Sequence, residues 1–239
     1  MRGHSQIRDR ALVLRMSELY DRYQAWLATR TDPPAEVIKG LHGPDTDRVR
    51  LDAEGLAANN WPVAFPPDIA VQKGDRLAFG GYDEDRAIYD GPVFTPQAGG
   101  EARTIHLGLD IFAAPETAVY APLDGRIHSF QDNANPKDYG PTLILEHAVG
   151  ELVFYTLYGH LSRDSLDGLH TGKTFKAGDR IAALGGVQVN GGWTPHLHFQ
   201  VILDMMERKG DYPGVFKLSE RADWKRICPD PGPLLGLTS

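Results

Sequence analysis

The chain has 239 residues, 41% hydrophobic and 24% charged, with 26 glycines and 17 prolines. This composition is globular, neither disordered nor fibrous, and long enough for one large domain or one domain with an appendage. A net charge of −7 argues against a nucleic-acid binder that grips phosphates, no apolar run approaches the ~18–20 residues that cross a bilayer, and the single Cys228 excludes an internal disulfide or an all-cysteine zinc site.

The N-terminus carries charges with no apolar stretch behind them. No signal peptide is expected, so the reading is cytoplasmic, or exported if a leader precedes the chain. Residues 6–30 are expected to form one amphipathic helix. Leu12, Met16, Leu19, Tyr20, Tyr23, Trp26 and Leu27 recur at spacings of three and four, and such a stripe braces a helix against the rest of a protein. Asp32-Pro33-Pro34 ends it, and a short helix is expected around Ala35–Leu41. An irregular stretch through Asn59-Asn60 and Pro66-Pro67 follows. The expected organisation is a helical extension over 1–60, a β domain over 61–227 and a tail over 228–239.

From about residue 68 the pattern changes to short strands between turns. Val119–Ala121, Gly125–Phe130, Thr142–His147, Leu152–Tyr158, Arg180–Leu184 and Leu197–Leu203 are apolar or alternating runs rich in β-formers. Asp124-Gly125, expected as a hairpin turn, Val149-Gly150, Ala177-Gly178 and Asn190-Gly191-Gly192 punctuate them. No βαβ alternation appears, so the expected fold is mainly β, an antiparallel sandwich or barrel-sandwich hybrid with an N-terminal α-helical extension.

Two histidine clusters can do chemistry. In His106-Leu107-Gly108-Leu109-Asp110 the histidine and aspartate share a face whether the segment is helical or extended, because four is close to 3.6 and also even. His196-Leu197-His198 opens an apolar strand, where residues two apart point the same way. His106, Asp110 and one histidine of the pair would give two imidazoles and a carboxylate, a donor set of catalytic zinc, with the other histidine just beyond it. Such a zinc makes water acidic near neutral pH, and a neighbouring histidine can accept its proton or steady an oxyanion. His128 and His147 are read as structural or surface residues, and His170 as an exposed turn residue.

Residues from about 103 to 203 resemble the M23 (lysostaphin/LytM-like) zinc metallopeptidase family. The resemblance is carried, in order, by the His106–Asp110 segment, Ala121-Pro122-Leu123-Asp124-Gly125, Tyr158-Gly159-His160-Leu161-Ser162, Lys176-Ala177-Gly178-Asp179 and Pro195-His196-Leu197-His198-Phe199. It implies zinc ligation by His106, Asp110 and His198, and catalytic, non-ligand roles for His160 and His196. It also implies hydrolysis of a peptide bond in a peptidoglycan-type or Gly-rich peptide. Two features depart from the family: no export signal is visible, and the tract 185–194 differs from the usual glycine-rich turn and places Trp193 near the site. Tyr82–Tyr89, Phe94–Gln97, Asn190–Trp193 and the tail Pro229–Gly236 are similar to M23-like modules fused to aminoglycoside-phosphotransferase-like kinases and class III aminotransferases. Association with such modules is therefore a partner expectation, and a non-hydrolytic metal-binding module of a larger assembly is an alternative function. A phosphocarrier-like β-hybrid domain is a remoter one, since it needs no aspartate four residues after a histidine.

Overall fold

The computed structural model describes residues 10–31, 36–61, 76–89, 91–96 and 99–237, with side chains from residue 13 onward. The runs of alternating and apolar residues become strands: β5 (Ala118–Tyr120), β6 (Gly125–Asn133), β7 (Gly140–Val149), β8 (Leu152–Gly159), β10 (Arg180–Ala183) and β11 (His196–Ile202). Shorter strands join them: β1 (Thr46–Arg48), β2 (Leu77–Gly80), β3 (Arg103–His106), β4 (Leu109–Phe112), β9 (Thr174–Phe175) and β12 (Val215–Lys217). The main sheet has the order β1-β2-β4-β11-β8-β7-β6-β9, and the ribbons β10-β5 and β12-β3 complete the fold. Pairing is antiparallel throughout except between β1 and β2.

Period-2 alternation gives the two faces of the sheet different work. On one face Leu109, Ile111, Leu143, Leu145, Phe154, Tyr158, Leu197, Phe199 and Val201 form the main core with residues of the β5–β10 ribbon. On the other, Ile144, Leu157 and Ile202 pack with Phe216 and Trp224. Asp110, His196 and His198 alternate with the core residues of β4 and β11, so they leave the main core and face the second side. Strand β11 is buried along its whole length, although His196, His198 and Gln200 alternate with its apolar residues.

Helix α1 (Arg10–Ala28) lies within the expected span; residues 6–9 and the Leu12 side chain fall outside the described residues. Met16 and Tyr23 are buried, while Leu19, Tyr20, Trp26 and Leu27 are partly buried against the core. The Tyr23 and Trp26 rings stand 5.2 and 5.1 Å from Phe154. The Asp32-Pro33-Pro34 stop lies outside the described residues.

Three expectations are corrected. Residues 37–45 form turns rather than a helix. Glu36 accepts the backbone N–H groups of Gly40 and His42 at 3.1 and 3.3 Å, and Gly40 takes a positive φ of 87°, which ends any helical path. Asp124-Gly125 is no hairpin: it links β5 to β6, which lie in different sheets. The Asp124 carboxylate accepts from Lys176 Nζ at 2.7 Å and Ala177 N–H at 2.9 Å. The stretch before residue 60 is not wholly irregular, because α2 (Ala53–Ala58) starts there with Asp52 as its N-cap.

Candidate metal centre

The two histidine clusters arrive from neighbouring strands. In β4 and β11, Asp110 pairs with His198 and Phe112 with His196. His106 ends β3 and enters the same space across the Leu107-Gly108 link. His160 follows the last residue of β8 with φ 64°, a left-handed turn that costs a non-glycine residue strain. All five side chains are buried and line one cavity of about 500 Å³. Phe94, Tyr139 and Trp193 line it too, and the Trp193 ring is 6.4 Å from that of His160.

Hydrogen bonds fix the tautomer of each imidazole. A carbonyl only accepts, so a ring nitrogen bonded to one carries the proton. His106 Nδ1 donates to the Gly81 carbonyl at 2.8 Å, His160 Nδ1 to that of Asn190 at 2.9 Å, and His196 Nδ1 to that of Thr194 at 2.6 Å. Each of these rings keeps a bare Nε2. His198 is reversed. Gln200 donates its amide nitrogen to the Pro213 carbonyl at 3.1 Å and to Cys228 Sγ at 3.2 Å, which turns its oxygen towards His198 Nε2 at 2.9 Å. Nε2 of His198 therefore holds the proton and Nδ1 is bare.

The bare atoms converge. His106 Nε2 and His198 Nδ1 are 2.9 Å apart, and each lies 3.3 Å from Asp110 Oδ1. That oxygen is buried and has no hydrogen-bond partner. Three lone-pair donors thus face one another with no proton between them, an arrangement that costs energy unless a cation sits among them. A tetrahedral centre with bonds of about 2.0–2.2 Å sets its ligand atoms about 3.3–3.6 Å apart, close to the spacing here. Two imidazoles and a carboxylate suit zinc in particular, with a fourth position left open.

For Asp110, His106, His160 and His196, electrostatics favours the same protonation states. Burial raises the Asp110 carboxyl, but the Arg86 guanidinium bonded to it opposes this, and the group lies well below the usual carboxylate range. Burial and then Arg86 push His106 down to about 3, against the pull of Asp110. Burial likewise lowers His160, reinforced by His196, and lowers His196 against Asp110. His196 Nε2 stands 3.7 Å from Asp110 Oδ1, and the His160 and His196 ring centres are 4.2 Å apart.

The structure brings His106, Asp110, His160, His196 and His198 together; it keeps His128, His147 and His170 away from them. Three partners escaped the sequence reading. Gln200 orients His198; Tyr139 places its hydroxyl 3.3 Å from His198 Nε2; Arg86 holds Asp110. Gln200 left a signal, a polar residue at i+2 from His198 on an otherwise apolar strand. Arg86 left none.

Residues 104–209 match the model of peptidase family M23. The matched span contains all five converging residues. Among solved structures, the catalytic domain of lysostaphin from Staphylococcus simulans is 22% identical, with TM-score 0.42, covering 70% of this chain and 97% of that one. The catalytic domain of the prophage-encoded M23 protein EnpA from Enterococcus faecalis is 21% identical, with TM-score 0.38, covering 60% and 88%. A zinc-containing peptidase from Vibrio cholerae is 28% identical, with TM-score 0.36, covering 52% and 35%. The chain thus spans about a third of the length of the Vibrio cholerae protein. No curated protein matches the chain. Among the described residues, no helix is long and apolar enough to cross a membrane.

Proposed function

We propose that this chain is a zinc-dependent metallopeptidase or amidohydrolase that cleaves a peptide bond in a peptidoglycan-type or Gly-rich peptide. The observation that carries the reading is the trio of bare donors, His106 Nε2, Asp110 Oδ1 and His198 Nδ1, gathered without a proton among them inside the matched span. These three residues would hold the metal. Zinc supplies Lewis acidity there, polarising a carbonyl and making water acidic near neutral pH. His160 and His196 do the proton work. Each has Nδ1 committed to a backbone carbonyl, so its bare Nε2 can take a proton from the attacking water. Once protonated, the same nitrogen can donate to the oxyanion of the tetrahedral intermediate or return the proton to the leaving amine. Burial keeps bulk water from competing for these contacts.

The test couples metal content to turnover. The purified chain is expected to hold one equivalent of zinc and to cleave a member of a pentaglycine and cross-linked muropeptide panel. His106→Ala should lose both. His160→Ala should keep the zinc and lose hydrolysis, whereas loss of zinc in both variants would overturn this division of roles. A reconstituted wild-type chain that binds no zinc would overturn the function itself. A phosphocarrier reading has less support, because its histidine must reach a partner protein and all five of these residues are buried.

A further inference from the structure

Only one oxygen of Asp110 faces the histidines. The other, Oδ2, accepts from Arg86 Nη1 at 2.6 Å. The Arg86 side chain is 2% exposed, as buried as the carboxylate it meets. Its Nε donates to Glu84 Oε2 at 2.8 Å and Nη1 donates to the Tyr89 hydroxyl at 3.0 Å. Glu84 is anchored in turn, its other oxygen accepting the Leu51 N–H at 2.9 Å. The backbone of this segment is stitched to β3: His106 N–H donates to the Glu84 carbonyl and Arg86 N–H to that of Thr104, each at 2.9 Å. The guanidinium lies against Gly81, at φ 96°, where a Cβ would collide with it. Gly81 thus serves twice, making room for Arg86 and orienting His106 through its carbonyl.

Stability alone does not account for this arrangement. Burying a guanidinium carries a heavy desolvation penalty before pairing, and replacing a buried ion pair with apolar residues of similar volume is often neutral or stabilising. What an apolar residue cannot do is hold one carboxylate oxygen. We propose that Arg86, which lies outside the matched span, is the positioning residue of the metal centre. Its guanidinium, held in turn by Glu84 and Tyr89, fixes the rotation of Asp110 through the single Nη1 bond to Oδ2, so that Oδ1 and not Oδ2 is offered beside His106 and His198. This inference rests on the zinc reading above.

The experiment uses the full chain. Zinc affinity is measured by chelator competition, the site is probed through the visible spectrum of the cobalt-loaded protein, and folding is followed by thermal unfolding. Arg86→Met is expected to unfold in one cooperative transition, to bind zinc roughly 10–100-fold more weakly than wild type, and to change the cobalt spectrum. Arg86→Lys keeps a charge without the fork and should fall between the two. A folded Met variant with wild-type zinc affinity and an unchanged cobalt spectrum overturns the proposal. Should the Met variant not fold, Arg86→Lys decides: weaker binding with an altered spectrum supports the role, and wild-type behaviour overturns it. Equal binding by wild type and variants defeats the role of Arg86 alone, whereas a wild-type chain without zinc defeats the functional reading beneath it.

Discussion

Gly108 sits between His106 and Asp110, two of the three residues proposed to hold a metal, and its side chain is missing for a reason. A Cβ there would overlap the imidazole of His198. Gly108→Ala should therefore displace the His198 ring or the backbone between His106 and Asp110. The expected cost is about 1–3 kcal/mol of stability, as for overpacking elsewhere, together with weaker zinc binding. Denaturant unfolding and zinc titration of the same variant check both, and wild-type values in each would refute the close-contact argument. At this scale the sequence was legible where chemistry and periodicity coincide. The i, i+2 spacing of His196 and His198 put both on one face of β11, whereas His106 and Asp110 meet from two strands, β3 and β4, across the Leu107-Gly108 link rather than along one continuous segment. Arg86 was illegible because its meaning is tertiary. It meets Asp110 across 24 positions, and a lone arginine near acidic residues ordinarily reads as solvated surface.

At the scale of elements, β8 is the anvil on which α1 rests. Phe154 is fully buried and touches both Tyr23 and Trp26, edge-on or tilted. Phe154→Ala should cost about 3–5 kcal/mol of unfolding free energy, with near-ultraviolet circular dichroism reporting the loosened aromatic cluster. A cost below 1 kcal/mol would show that the helix is not braced there. The long strands β6, β7, β8 and β11 were readable because alternation or unbroken apolarity extends over most of their seven to ten residues. Strands β3, β4 and β12, of three or four residues, carry few periods, although the equally short β5 and β10 were legible as Val119–Ala121 and Arg180–Leu184. Helix α3 (Arg221–Ile227) escaped for a similar reason, its seven residues lacking a side-chain cap at Glu220.

Considered as a whole molecule, the chain has a second buried histidine network outside the candidate metal centre. His147 is fully buried, its Nδ1 donating to the Asp124 carbonyl at 2.8 Å and its Nε2 lying 2.7 Å from Thr156 Oγ1. Burial lowers its pKa below the ordinary value of 6.5, despite the opposing carbonyl of Asp124. Above that ordinary value both folded and unfolded chains are neutral here, and the stability contribution is complete. As pH falls below it, the unfolded chain takes up a proton that the folded one refuses, so stability is lost, by up to about 1.4 kcal/mol per pH unit. His147→Gln should flatten the slope of unfolding free energy between pH 6.5 and 5 by up to that amount in chelator-treated protein. Equal slopes would mean that His147 titrates alike in both states.

The carbonyl of Gly81 has a practical consequence for anyone trimming this protein. A fragment cut to residues 104–209 would retain His106, Asp110 and His198 while discarding the carbonyl that accepts from the His106 ring and the Arg86 guanidinium that pairs with Asp110. Such a piece would own all the letters of its motif yet misspell the site, with one imidazole free to swivel and one carboxylate free to turn.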